Sequence, residues 1–177
     1  DLIGQARYFY QYAATLIGNG ATEDTLAYLR DSRQFYNSLM PELPKGDWAF
    51  TTLRQYLYSQ FQFLQYSHLK TSYDEQIAAI CEKAIKETAY HLRWSREWII
   101  RLGDGTAESH QKMLDAVEQL WPYTGEMFLP AAYETELAEK SIAVNPGDLK
   151  ADWTQAVKLV FEEATLPPPQ NGWMHEG

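Results

Sequence analysis

The chain of 177 residues has little of several features that mark particular classes of protein. Its one cysteine, Cys81, excludes an internal disulfide, which suits the reducing cytoplasm where we expect the protein to reside. Lysine and arginine total 15 against 24 acidic residues, and this net charge of −9 argues against nucleic acid or an anionic membrane surface as partner. No apolar run approaches the roughly 20 residues that span a bilayer. No signal peptide, Gly-x-Ser-x-Gly elbow or glycine-rich phosphate loop is visible.

Apolar residues at three- and four-residue steps predict helices along almost the whole chain. Strong boundary signals separate them, such as Gly18 after the first helix, Asp47 before a long one, and Asn145-Pro146 before the last. Residues 33–40 fit either a further helical turn or a loop, and Pro41 is expected to break the chain there. No strand alternation is present. The predicted helices are 1–17, 23–30, 48–70, 75–102, 107–128 with a kink at Pro122, 130–143 and 146–166.

The expected fold is an all-α bundle of long helices with additional shorter ones. Residues 1–166 form one predicted domain, and residues 167–177 form a proline-rich tail. The first helix has no start signal before it, so we expect a further helix to precede residue 1 and another to be able to follow residue 177. The apolar face predicted for this first helix is Leu2, Ala6, Phe9, Ala13 and Ile17.

A long-helix bundle can hold two metal ions when a Glu and a His, spaced i and i+3, reach the same metal from one helix face. None of the four histidines has this partner. The residues three positions before His68, His91, His110 and His175 are Gln65, Thr88, Ala107 and Gly172. The sequence therefore predicts the scaffold of a metal-binding bundle without its ligand pattern.

A few residues remain as candidates for chemistry. Glu87 and His91, spaced i and i+4, share a helix face and fit either one metal ion or a local acid–imidazole pair, which is the favoured interpretation. Glu126 and Asp1 fit either the bundle interior or, preferably, a solvated surface. Cys81 lies on an apolar seam, where a buried thiol is unreactive.

One stretch is locally basic in this acidic chain. It fits contact with a phosphorylated ligand or an acidic partner surface. The favoured alternative is ordinary pairing along the helix, of Glu82 with Lys86 and of Glu97 with Arg101. The basic residues are Lys83, Lys86, Arg93, Arg96 and Arg101.

Four stretches together are similar to one family. They are DLIGQAR at 1–7, EDTLAY at 23–28, AIKETAYHLR at 84–93 and LWPYTGEMF at 120–128. In this order they resemble the C subunits of bacterial phenylacetyl-CoA oxygenases, the ring-1,2-epoxidases, over nearly the whole chain.

The resemblance implies a ferritin-like fold and a non-catalytic, structural role in aerobic phenylacetate degradation. The implied partner is a catalytic ferritin-like subunit that carries the di-iron site. The two subunits would form a hetero-oligomer that uses O₂ and receives electrons from a separate reductase. Self-association of this chain is a further alternative. This chain would bind no iron. Where catalytic relatives have Glu-x-x-His, it has Leu2 with Gln5 and Glu87 with Tyr90. Buried replacements of this kind must satisfy their hydrogen bonds, with Gln5, Glu87, Tyr90 and His91 as the candidates.

Two other functions stay open from the sequence. One is a ferritin-like oxidase whose atypical metal site is completed by residues outside this chain. The other is a helical module that binds an acyl-CoA thioester. Metal analysis distinguishes the oxidase from a structural subunit. Co-purification with a catalytic partner distinguishes the acyl-CoA module from a structural subunit.

Overall fold

The computed structural model describes residues 1–167, and in this range the chain is all helix and loop. Short 3₁₀ turns lie at Ser32–Gln34, Trp121–Tyr123, Gly125–Phe128 and Pro146–Leu149. No strand occurs between residues 1 and 167, which confirms the predicted all-α class. The α-helices of this range are α1 (Leu2–Ile17), α2 (Glu23–Ala27), α3 (Leu39–Glu42), α4 (Trp48–Leu69), α5 (Glu75–Gly103), α6 (Ala107–Leu120), α7 (Ala132–Glu139) and α8 (Lys150–Glu163).

The two longest helices, α4 and α5, form an antiparallel pair joined by a short loop. Each begins where the sequence predicts, because an aspartate accepts the otherwise unpaired backbone N–H groups of the first turn. Asp47 accepts from the amide of Phe50 at 2.9 Å, and Asp74 accepts from Gln76 and Ile77 at 3.0 Å each. Their predicted limits are confirmed to within a residue or two.

The main core lies where α6 and α8 pack on this pair. Trp153 of α8 is at its centre, 2% exposed, with its indole N–H donating to the carbonyl of Leu57 at 3.0 Å. The rings of Trp121 and Phe128 pack beside it, with centroids 5.7 Å and 5.2 Å away. Gly103, at the end of α5, allows close approach of the segment after α8. The long helices are therefore held together by apolar packing.

Several predicted boundaries are wrong. Helix α6 ends at Leu120 instead of continuing through a kink to residue 128, because Pro122 lacks an N–H and its ring collides with the preceding turn. Two 3₁₀ turns follow instead. Helix α7 covers only Ala132–Glu139, and α2 ends at Ala27, short of residue 30. Pro41 does not break the chain; it lies in the first turn of α3, where a missing N–H costs no helical bond.

The face that α1 buries also differs from the prediction. Leu2 and Ile17 are 49% and 55% exposed, whereas Gln5 and Ala14 are buried. A small second core of Tyr66, Cys81 and Ala84 receives Phe9 from α1. In the described part of the chain no helix is long and apolar enough to cross a membrane. The predicted tail lies outside the described residues except for Pro167.

Candidate functional site

The replaced ligand positions meet where α1 packs on α5. Gln5 is only 5% exposed, and its side-chain N–H donates to a carboxylate oxygen of Glu87 at 2.8 Å. The amide oxygen of Gln5 has no hydrogen-bond partner among the described residues. The contact links two helices across 82 positions of sequence. A cleft of about 240 Å³ adjoins the pair and is lined by Asp1, Gly4, Gln5, Tyr8, Ile80, Lys83, Ala84 and Glu87.

The other residues predicted for this cluster lie apart from the Gln5–Glu87 pair. Tyr90 is 53% exposed and Leu2 points largely to solvent, so neither joins a buried polar network. His91 does not pair with Glu87; its Nε2 lies 3.3 Å from a carboxylate oxygen of Asp1. The structure therefore brings together two of the four replaced positions, and the favoured Glu87–His91 pairing is wrong.

Glu126 lies neither in the bundle interior nor free on a solvated surface, the two predicted alternatives. Its carboxylate accepts the backbone N–H of Leu39 at 2.7 Å, 87 positions away. Leu39 is the first residue of α3, and Ser38 before it provides no side-chain cap. The carboxylate thus satisfies one of the unpaired amides of that helix and favours its positive end. Glu126 therefore joins the 3₁₀ turn Gly125–Phe128 to the start of α3.

Further carboxylates fasten α1 to its neighbours. Tyr12 donates its hydroxyl to Asp74, and this bond raises the pKa of the phenol. Partial burial of Asp74 opposes ionisation, but the bonds from Tyr12 and from two backbone amides outweigh it and lower the pKa of the carboxyl. Glu23 accepts from Gln11 at 3.0 Å and Arg7 at 3.3 Å, and these bonds lower its pKa. No sequence pattern signals these contacts.

Cys81 lies in the small second core and is fully buried. Burial raises the pKa of its thiol to about 11, because the apolar surroundings disfavour the thiolate. The prediction of an unreactive cysteine agrees with this environment.

The basic stretch of α5 does not pair as predicted. In the described part of the chain, no ion pair joins Glu82 to Lys86 or Glu97 to Arg101. The guanidinium of Arg101 instead lies 5.6 Å from the ring centre of Trp98. Arg93 lies over Tyr90 at 5.8 Å, and Lys83 over Tyr8 at 4.1 Å. The exception is Arg96, which pairs with Glu163 of α8. The favoured interpretation of this stretch is therefore wrong.

A model of one protein family, described as "Phenylacetic acid catabolic protein", matches residues 1–177. The chain belongs to this family. A relative from Escherichia coli (strain K12), the C subunit of 1,2-phenylacetyl-CoA epoxidase, is 49% identical over 170 residues. The match covers 96% of this chain and 68% of the relative. The resemblance that the four sequence stretches carry is thereby confirmed, and the helical fold is the ferritin-like bundle of the phenylacetic acid catabolic proteins.

The α1–α5 site does not fit the di-iron centre that the resemblance implies for catalytic members of the phenylacetic acid catabolic family. Such a centre uses roughly four carboxylates and two histidines facing one another. Here one carboxylate, Glu87, meets an amide, and the nearest histidine is engaged by Asp1. Within residues 1–167, no three His, Cys, Asp or Glu side chains are grouped so that they could hold a metal ion. That this chain binds no iron stays a prediction.

Proposed function

We propose that this protein is the supporting subunit of a phenylacetyl-CoA epoxidase. It binds a second ferritin-like subunit that carries the di-iron site, and it holds that subunit in its active shape without binding iron itself. Two observations support the proposal: the similarity to an epoxidase subunit of E. coli, and the hydrogen bond between Gln5 and Glu87. The hydrogen bond is the observation that carries it.

The chemistry of this contact suits a helix brace better than a metal ligand set. A histidine at position 5 would offer a ring nitrogen to a metal, whereas the Gln5 amide donates a proton to the carboxylate instead. A hydrogen bond to an ionised group contributes about 1.5–3 kcal/mol, which replaces part of the cross-linking that a metal supplies between helices. The side chain of Leu2 has no nitrogen or oxygen atom with which to bind a metal. The bundle thus keeps its α1–α5 packing without an ion.

Co-expression with the iron-bearing oxygenase subunit tests the proposal. We expect the two chains to co-purify, and ring oxygenation of phenylacetyl-CoA, with O₂ and a reductase, to depend on this chain. Metal analysis of this chain alone should find no stoichiometric iron. About two irons per isolated chain would favour the ferritin-like oxidase instead. Binding of acyl-CoA by the isolated chain, without any oxygenase partner, would favour the acyl-CoA module.

One variant tests the role of Glu87 within the complex. Because Glu87 bonds to Gln5 and belongs to no ligand set among the described residues, Glu87→Ala should leave the iron content of the assembled complex unchanged. Glu118→Ala, which replaces an exposed glutamate on α6, is the matched control. Loss of iron with Glu87→Ala alone would contradict the assignment of this residue.

A further inference from the structure

The outward face of α5 carries a continuous stripe of exposed basic and aromatic side chains. Its members recur at three- and four-residue steps, so they lie on one side of the helix. They are Lys83, Lys86, Tyr90, Arg93, Glu97 and Arg101, and all six are exposed. Four cations and one acid give these six residues a charge of 4 − 1 = +3, and the exposed Glu82, four positions before Lys86, lowers the charge of this helix face to +2. The whole chain has a charge of −9.

Two cations of the stripe, Arg93 and Arg101, keep their hydrogen-bonding edges available, whereas Lys83 donates to the hydroxyl of Tyr8. The guanidinium carbons of Arg93 and Arg101 lie 5.8 Å and 5.6 Å from the ring centres of Tyr90 and Trp98. Among the described residues neither guanidinium forms a hydrogen bond or an ion pair, so its N–H fork stays free to bind a carboxylate with two parallel bonds. Contact with the ring also limits the conformational entropy lost when that bond forms.

The flank of the stripe has the composition of a protein interface. Trp94 and Trp98 adjoin it on α5, and the half-exposed Trp48 of α4 packs edge-on against both, with ring centres 5.7 Å and 5.5 Å apart. Tryptophan, tyrosine and arginine are the residues enriched where protein interfaces bury most of their binding energy. An apolar aromatic patch thus lies directly beside a row of cations.

We propose that the α5 stripe is the surface on which this chain binds its iron-bearing oxygenase subunit, through a carboxylate-rich helix face of that subunit. The inference rests on the proposed function and adds the location and charge of the contact. From Lys83 to Arg101 the stripe rises about 27 Å along the helix axis, a length that matches a helix face. Arg93 and Arg101 lie about 12 Å apart along the axis, too far to clamp one phosphate group.

A triple charge reversal with a matched control tests the inference. The stripe variant is Lys86→Glu, Arg93→Glu and Arg101→Glu. The control is Lys112→Glu, Lys140→Glu and Lys158→Glu, which reverses three exposed lysines on or next to α6, α7 and α8 that are paired with glutamates of those helices. Both variants have a net charge of −9 − 6 = −15. Far-UV circular dichroism verifies that both remain folded.

The dissociation constant for the iron-bearing subunit is measured for the unaltered chain and both variants, at low and at high ionic strength. We expect the stripe variant to bind about 100-fold more weakly at low ionic strength, with a smaller difference in high salt, and the control to change by less than about threefold. Equal effects of the two variants, or none, would overturn the inference and leave the proposed function intact. Failure of the unaltered chain to bind would overturn both.

Two further measurements identify a different occupant. Sedimentation of the unaltered chain and the stripe variant tests whether a second copy covers this face. Titration of both with coenzyme A tests for a phosphate-bearing ligand. Self-association or coenzyme A binding that only the stripe variant loses, together with unchanged binding of the iron-bearing subunit, would refute the proposed partner.

Discussion

Replacing Glu87 by alanine should lower the free energy of unfolding by about 2–3 kcal/mol. The variant removes a 2.8 Å hydrogen bond to an ionised group, for which the typical contribution is about 1.5–3 kcal/mol. It also leaves the Gln5 amide without its acceptor at a position that is 95% buried, since 5% is exposed. The two costs overlap, because both describe loss of the same contact. The greater helix propensity of alanine returns only a few tenths of a kcal/mol.

Urea unfolding followed by circular dichroism measures this loss, with an unchanged slope showing that the transition is the same. Glu97→Ala, exposed on the same helix, should change stability by less than about 0.5 kcal/mol. Replacing both partners, Gln5→Leu with Glu87→Leu, should cost much less than Glu87→Ala, because no buried polar group is left unpaired. Equal stabilities of Glu87→Ala and Glu97→Ala would show that the Gln5–Glu87 hydrogen bond does not stabilise the packing of α1 on α5.

Three other perturbations follow from the structure. Acid should release α1 before the rest of the bundle, because the carboxyls of Glu23 and Asp74 have lowered pKa values in the folded protein. Their contribution to stability is complete above the pKa of free carboxyls, about 4, and is lost as the pH falls through the folded pKa values. Hydrogen exchange measured against pH checks this, and uniform loss over all helices would contradict it. Gly103→Ala should destabilise the protein by about 1–3 kcal/mol or more, because the added Cβ would lie 2.3 Å from a backbone carbonyl oxygen after α8. Gly4→Ala should not destabilise it, because a Cβ there meets nothing within 4 Å. Urea unfolding midpoints compare the two variants. Cys81 should resist thiol reagents in the native state at about pH 8 and react on unfolding, and rapid native labelling would show that it is not buried.

The long helices were predictable because their signals are local. Asp47 and Asp74 bond to amides two or three positions away, and the seam of α5 repeats within one helix. Pro122 was recognised as disruptive, but the choice between a kink and an end depends on what packs around it. Here two 3₁₀ turns follow α6, and Phe128 at the end of the second is buried in the core.

The site was less predictable because its contacts join distant residues. The apolar pattern of α1 favoured burial of Leu2, but the helix turns Gln5 inward toward Glu87, 82 positions away. Likewise, Glu126 meets an amide 87 positions away. Local spacing carries no information on such partners. The resemblance to the family pointed to Gln5 and Glu87 as replaced ligand positions, and only the structure supplied the bond between them.

The tryptophans of the described residues occupy two separate environments. Trp153 is buried in the core with the partly buried Trp121 packed on it, whereas Trp48, Trp94 and Trp98 form a half-exposed cluster beside the α5 stripe. The tryptophans of residues 1–167 therefore contribute an interior signal and a surface signal to the intrinsic fluorescence. Acrylamide should quench the surface set and spare the interior, so a molecule seated on α5 would protect that set. Association at this face can then be followed optically in unlabelled protein.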